Sequence, residues 1–178
     1  MKTKYNKTFG PSDTDFDMNA CVGYDPNSWG TNASGFQLSA NKLVDFARTS
    51  ESDIDILIYP IAFLFRHTIE LLLKKATQTT GTSRVIEKGH NLLDRWDAIA
   101  PQAEERFKGN PSYIDFKGLR EVIKDFENVD SGSFDFRYPF TTSGNRTLDG
   151  VTNVNINVLA QRANNAIEQL TLIIDAYP

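Results

Sequence analysis

One segment of this 178-residue chain limits the possible folds more than any other: the apolar stretch at about residues 52–78. Its most hydrophobic run, residues 56–65, is too short for a membrane-spanning helix, which needs about 20 apolar residues. Charged residues flank this run closely, so we expect a long core helix and no interaction with membranes. Because apolar residues occur on nearly every side of the helix, the other helices should pack around it.

Apolar residues recur at helical spacing in four further segments of the chain. These predicted helices lie at about residues 36–48, 90–107, 112–128 and 155–176. Short links join them. The pattern therefore favours a mainly α fold, an up-down helical bundle of about five helices.

Two segments lack this periodicity. Residues 1–35 are rich in Asn, Asp, Ser, Thr and Gly, and we expect an irregular N-terminal arm before a single helical-bundle domain at 36–178. Within residues 131–154, polar and aromatic residues alternate at 133–138, which is the period of a strand. We therefore expect a short extended or β-hairpin insertion near 131–154.

The charge and cysteine content narrow the class of protein. A net charge of −4 argues against a globally basic protein that coats nucleic acid, although a local basic patch remains open. The single cysteine, Cys21, excludes an internal disulfide. The first eight residues lack the apolar run of a secretion signal. We therefore expect a cytoplasmic protein.

The long apolar helix carries an ionic stripe, which we define as Arg66, His67, Glu70 and Lys74, within an arc of about 100°. Buried charges must be paired, and the i,i+4 spacing predicts an ion pair between Arg66 and Glu70. The stripe has two interpretations. One is an internal ion pair with a structural histidine; the other is the floor of a ligand-binding or catalytic cleft, where buried ionic clusters are common.

The chain has only one other histidine, His90, near the start of the third predicted helix. Asp94 lies one turn further on, and a histidine oriented by this carboxylate would suit general acid–base catalysis. Alternatively, His90 has only a structural role, in which it caps the helix or packs against other residues. Two histidines and one cysteine without paired spacing give no zinc pattern, and no phosphate-loop, dinucleotide or nucleophile-elbow motif occurs. We expect no metal and no cofactor.

A second basic candidate, Arg137, is flanked by aromatic residues on a predicted strand. Such an arginine could bind a phosphate or stack on a nucleobase. It could equally neutralise Glu70 in the core. The residues leave both interpretations open.

Three motifs spread over about residues 50–140 resemble small bacterial and phage proteins related to the HEPN superfamily. They are Arg66-His67-x-Ile69-Glu70-Leu71, Gly89-His90-Asn91-Leu92-Leu93 and Phe136-Arg137-Tyr138-Pro139. The resemblance implies a helical bundle that forms a homodimer. Many members of the superfamily are metal-independent endoribonucleases that act as toxins or defence effectors. Others have lost catalysis and bind nucleotides or protein partners.

The catalytic motif of the superfamily is an arginine followed, after four to six residues, by a histidine. Arg84 and His90 fit this spacing, but Val85 replaces the usual polar neighbour and Gly89 interrupts the helix. The candidate catalytic residues are therefore His90, His67, Arg66, Glu70, Arg84 and Arg137. The resemblance implies an RNA-cleaving or RNA-binding defence module, with or without intact activity; the alternative is a non-catalytic protein-interaction module of phage or mobile-element origin.

Overall fold

The computed structural model describes residues 8–22, 28–50, 53–82, 89–110 and 112–177. These residues form five α-helices and a short 3-10 turn at Phe16–Met18. The helices are α1 (Ser28–Ala47), α2 (Ile54–Thr79), α3 (Leu92–Phe107), α4 (Phe116–Val129) and α5 (Ile156–Asp175). The prediction of a mainly helical bundle is confirmed.

The first helix begins at Ser28, well before the predicted start near residue 36. Glycine and small polar residues in its first two turns have low helix propensity and hide the periodicity. Packing against α2 overrides that propensity, because Ala33 is buried and the Trp29 ring lies 5.2 Å from Nζ of Lys74. The end of the predicted irregular arm is therefore helical.

Side-chain pairs show the relative directions of several contacting helices. Trp29 contacts Lys74 and Phe36 contacts His67, so α1 and α2 run antiparallel. The same relationship holds for α1 with α5, α3 with α4, and α4 with α5. The hydrogen-bonded pairs are Asn41–Asn164 and Arg48–Asn157 for α1 with α5. They are Asp97–Arg120 and Leu92–Glu127 for α3 with α4. They are Asp125–Arg162 and Asp115–Gln169 for α4 with α5.

The second helix occupies the centre of the bundle and contacts α1, α3 and α5. Phe65, Ile69 and Leu73 along α2 are fully enclosed, and Trp96 of α3 is almost so. In the described part of the chain, α2 is the one helix whose length and composition would also suit a membrane span. More than half of its most apolar window is buried inside the protein, as in a core helix.

The predicted β-hairpin near 131–154 is wrong, because these residues, all described, contain no strand. They contain a single antiparallel bridge between Phe140 and Arg146. The backbone turns where the alternation predicted extension: the amide of Arg137 donates to the carbonyl of Phe134 at 3.0 Å. The cause lies outside the alternating run, since the Asp130 side chain accepts from the Phe134 amide and fixes the turn.

Candidate active site

The ionic stripe is built by the helical repeat of α2. Glu70 lies one turn after Arg66 and one turn before Lys74, so all three side chains share a face. Nη1 of Arg66 donates to Oε2 of Glu70 at 2.8 Å, and Nζ of Lys74 donates to Oε1 at 2.7 Å. The predicted ion pair between Arg66 and Glu70 is confirmed.

Arg66 is fully enclosed, and its guanidinium donates hydrogen bonds to other parts of the protein. Besides Glu70, its Nε donates to the carbonyl of Asp130 at 2.7 Å, and Nη2 donates to the carbonyl of His90 at 3.0 Å. The guanidinium therefore ties α2 to the end of α4 and to the segment that enters α3. With its side chain enclosed, Arg66 cannot touch a ligand.

Asp130 completes this buried network. Its Oδ2 lies 3.6 Å from Nε of Arg66, and its Oδ1 accepts from the amides of Phe134 and Asp135 at 2.6 and 3.0 Å. Burial and the nearby Asp130 charge raise the pKa of Asp135. Asp130 thus anchors the turn after α4 against the arginine of α2.

His90 lies at the rim of the network and is paired through its ring. Its Nδ1 is 2.9 Å from Oε1 of Glu70, while the side chain is 59% exposed. The predicted orientation by Asp94 is wrong, because α3 begins only at Leu92 and Asn91 caps it, accepting from the Asp94 amide. His90 therefore precedes the helix, and the one-turn relationship to Asp94 does not apply.

The backbone of the residues just before α3 is held in place by two features. Gly89 has a φ of +119°, a conformation that residues with a side chain rarely adopt. The buried carboxylate of Glu127, on α4, accepts from the amide of Leu92 at 2.8 Å, satisfying an otherwise unpaired donor at the start of α3. Burial raises the pKa of Glu127 despite this bond.

The charge state of Glu70 follows from its partners. Burial alone would raise its pKa, but hydrogen bonds from Lys74 and His90, with their charges, outweigh burial and lower the pKa to about 2. The carboxylate is therefore ionised at neutral pH. It holds the inner nitrogen of the His90 ring and leaves Nε2 without a partner among the described residues.

His67 sits beside the network in an aromatic setting. Its ring lies edge-on to Phe36, with centroids 4.5 Å apart, and stacks on Phe63 at 5.6 Å. Burial lowers the pKa of His67, and the positive charges of Lys74, Arg66 and Arg137 lower it further, against the opposite effect of Glu70. The ring is therefore neutral at neutral pH.

Arg137 is exposed and does not neutralise Glu70, so that interpretation is wrong. Its guanidinium carbon lies 5.5 Å from the centroids of both Phe63 and Tyr138. Phe63 thus contacts Arg137 and His67, which links the arginine to the stripe. Arg84, the remaining candidate, lies outside the described residues.

The candidates form two adjoining groups. Arg66, Glu70 and His90 belong to one hydrogen-bonded network, while His67 and Arg137 meet on Phe63. Sequence reasoning missed Asp130, although a signal was present. An acid at the C-terminal end of a helix is disfavoured by the helix dipole, so Asp130 at the end of α4 indicates a buried cationic partner.

Comparisons with protein-family models, curated proteins and solved structures find no match to this chain.

Proposed function

We propose that this chain acts on RNA, as a HEPN-like module of the toxin or defence type. One observation supports this most: a mostly exposed imidazole, His90, whose inner nitrogen is held by the buried, ionised Glu70. A carboxylate that holds a histidine in this way fixes the orientation of the ring and leaves the outer nitrogen free to exchange a proton.

The reaction that fits this pair is metal-independent cleavage of RNA. Nε2 of His90 takes the proton of a ribose 2′-hydroxyl, whose oxygen attacks the adjacent phosphorus. The bond from phosphorus to the 5′-oxygen breaks, and the imidazolium returns the proton to the departing oxygen. The products are a 2′,3′-cyclic phosphate and a 5′-hydroxyl, and no external reactant is needed.

Positive charge for the pentacoordinate phosphate comes from Lys74 in this proposal. Its side chain is 20% exposed and hydrogen-bonded to the same Glu70 oxygen as His90, which places the ammonium beside the imidazole. A fixed cation next to developing negative charge stabilises the transition state. Arg66 acts as a positioning residue, since it holds Glu70 and the His90 carbonyl but is enclosed.

The resemblance also implies a homodimer, and we include it in the proposal. Exposed apolar side chains lie at the end of α1 and in the first turn of α2, where Phe46 is 52%, Ile54 39% and Ile56 66% exposed. Apolar side chains grouped on one surface favour a protein–protein contact. Two copies related by a two-fold axis would cover this surface on each other.

A second candidate is a non-catalytic protein-interaction module. The enclosure of Arg66, Glu70 and Asp130 favours it, because a buried ion-pair network can serve the fold alone. The discriminating experiment is incubation of purified protein with transfer RNA or total RNA in EDTA, followed by a low-salt RNA-binding assay. Cleavage supports the first candidate; neither cleavage nor binding supports the second.

A further inference from the structure

A second feature lies outside the His90 network: a pocket between α2 and residues 136–152, with a volume of about 670 Å³. This volume is in the range of small-ligand sites. We name it the aromatic–arginine pocket after five of its lining residues, Tyr59, Tyr138, Phe140, Arg137 and Arg146.

The wall of the pocket is fixed by its own backbone. The amide of Thr141 donates to the carbonyl of Asn145 at 2.8 Å, and the amide of Thr147 donates to the carbonyl of Pro139 at 3.2 Å. Gly144, with a φ of +84°, allows the tight turn between them. The antiparallel bridge then sets Phe140 opposite Arg146. Both side chains are therefore presented by a closed turn rather than by a loose loop.

The aromatic side chains of the pocket are unusually open to solvent. Tyr59 and Tyr138 are each 48% exposed and Phe140 is 53% exposed, yet all three line one cavity. The Tyr138 ring is held in place by stacking on Phe134, with centroids 4.4 Å apart. Large apolar groups that gather around an open pocket indicate a binding surface.

The pocket is also locally basic in an acidic chain. Arg137 and Arg146 form no ion pair with any described residue, and the lining holds one carboxylate, Asp149. A guanidinium with no carboxylate partner is available to a phosphate, which it can bind bidentately. The pocket therefore joins stacking surfaces to two anion-binding groups.

We propose that the aromatic–arginine pocket binds one nucleotide of a single-stranded RNA, with its base on the aromatic rings and its phosphate on Arg137 and Arg146. This inference rests on the proposed function and deepens it, because it names where the substrate is held. Base stacking on aromatic side chains beside a basic groove is how proteins hold single strands. Asp149 can accept a hydrogen bond from a ribose hydroxyl or a base amino group.

The position of the pocket suits this role. Arg137 lines the pocket and contacts Phe63, and Phe63 stacks on His67, next to the Glu70 network. The pocket is thus connected through Arg137, Phe63 and His67 to the network that holds His90. A simple anion would not use the aromatic rings, and an apolar ligand would not use two arginines.

The first test is calorimetric titration of the full chain at low salt with three probes: adenosine 5′-monophosphate, adenosine and inorganic phosphate. The proposal predicts that the monophosphate binds more tightly than either of the others, because only it engages both kinds of group. Equal affinity for phosphate would reduce the site to an anion site and overturn the inference, as would equal affinity for adenosine.

The second test localises the binding. We expect Arg146→Ala to weaken monophosphate binding by roughly tenfold or more, and Tyr138→Ala by at least roughly fivefold. The matched controls are Arg162→Ala and Tyr113→Ala, which alter exposed residues of the same types away from the pocket. Unchanged affinity in the pocket variants, or equal loss in the controls, would overturn the inference. Thermal melting of each variant identifies any that fail to fold, and Arg146→Lys then replaces Arg146→Ala.

The outcomes separate this inference from the proposed function. If RNA is cleaved but the pocket variants bind the monophosphate normally, the nucleotide site is wrong and the RNA-cleaving role stands. If the monophosphate binds in the pocket but RNA stays intact, the nucleotide site stands and the cleavage by His90 is wrong.

Discussion

Nδ1 of His90 lies 2.9 Å from Oε1 of Glu70, although the two residues come from different segments of the bundle. Their environments are opposite, because Glu70 is fully enclosed and the His90 side chain is 59% exposed. Arg66 and Lys74 fix the buried carboxylate of Glu70, and this carboxylate orients the exposed ring of His90. A fixed ring with an exposed outer nitrogen suits the proposed proton transfer.

We expect Glu70→Ala to be strongly destabilising. The substitution leaves the enclosed Arg66 without its carboxylate, and breaking a buried ion pair costs roughly 3–5 kcal/mol. The control is Glu105→Ala, whose 75% exposed side chain forms a surface pair with Lys108 worth at most about 1 kcal/mol. Urea denaturation of both variants gives the free energies of unfolding. Equal losses would mean that the buried network does not stabilise the fold.

The stability of the protein should depend on pH through Glu70. Its pKa is about 2 in the folded state against an ordinary 4.5, a difference equivalent to roughly 3 kcal/mol. A lowered folded pKa stabilises the fold fully above pH 4.5, and this contribution is lost as the pH falls towards 2. Glu127 and Asp135 act in the opposite sense, since their pKa values are raised.

The measurement is denaturation from pH 7 to pH 2 of wild type and of Glu70→Gln. The wild type should lose more stability over this range, because the amide that replaces the carboxylate in the variant does not titrate. Parallel curves for the two proteins would contradict a lowered pKa of Glu70.

The helical framework could be predicted because it depends on local periodicity. The bounds of α2 and α5 follow from apolar spacing and lie close to the predicted ones. The Arg66–Glu70 pair was predictable for the same reason, since one helix carries both residues. Contacts that need tertiary structure were not: the partner of His90 is Glu70, twenty residues away, rather than the neighbouring Asp94.

The 131–154 segment shows why a local pattern can mislead. Its alternation of polar and aromatic residues matches a strand, but the amides of Phe134 and Asp135 are taken by the Asp130 carboxylate instead of a neighbouring strand. An isolated pattern does not reveal this competition. The place of Asp130 at the end of α4 indicates a cationic partner, but only the tertiary structure shows that this partner is Arg66.

Asp130→Ala should loosen this turn. The substitution removes the acceptor for the Phe134 and Asp135 amides and a carboxylate beside Arg66, and we expect a loss of roughly 3 kcal/mol. Hydrogen exchange should accelerate at those two amides. Asp125→Ala, at an exposed surface pair with Arg162, is the control and should leave both rates unchanged. Equal protection in both variants would show that Asp130 does not hold the turn.

The proposed homodimer predicts a particle of about twice the 20.0 kDa chain mass. Light scattering at micromolar concentration measures it directly. Ile56→Asp places a charge in the exposed apolar surface and should shift the mass towards one chain, whereas Asp55→Asn should not. A single-chain mass for the wild type across this range would contradict the dimer.

In the proposed reaction His90 transfers the proton, and the most direct test is the rate of RNA cleavage in EDTA by wild type and His90→Ala. Arg66 and Lys74 still pair with Glu70 in this variant, so it should remain folded while the rate falls by roughly 10²- to 10⁴-fold. Fragments from the wild type should end in a 2′,3′-cyclic phosphate. Cleavage by a folded His90→Ala variant at the wild-type rate, or no cleavage by the wild type, would contradict the account.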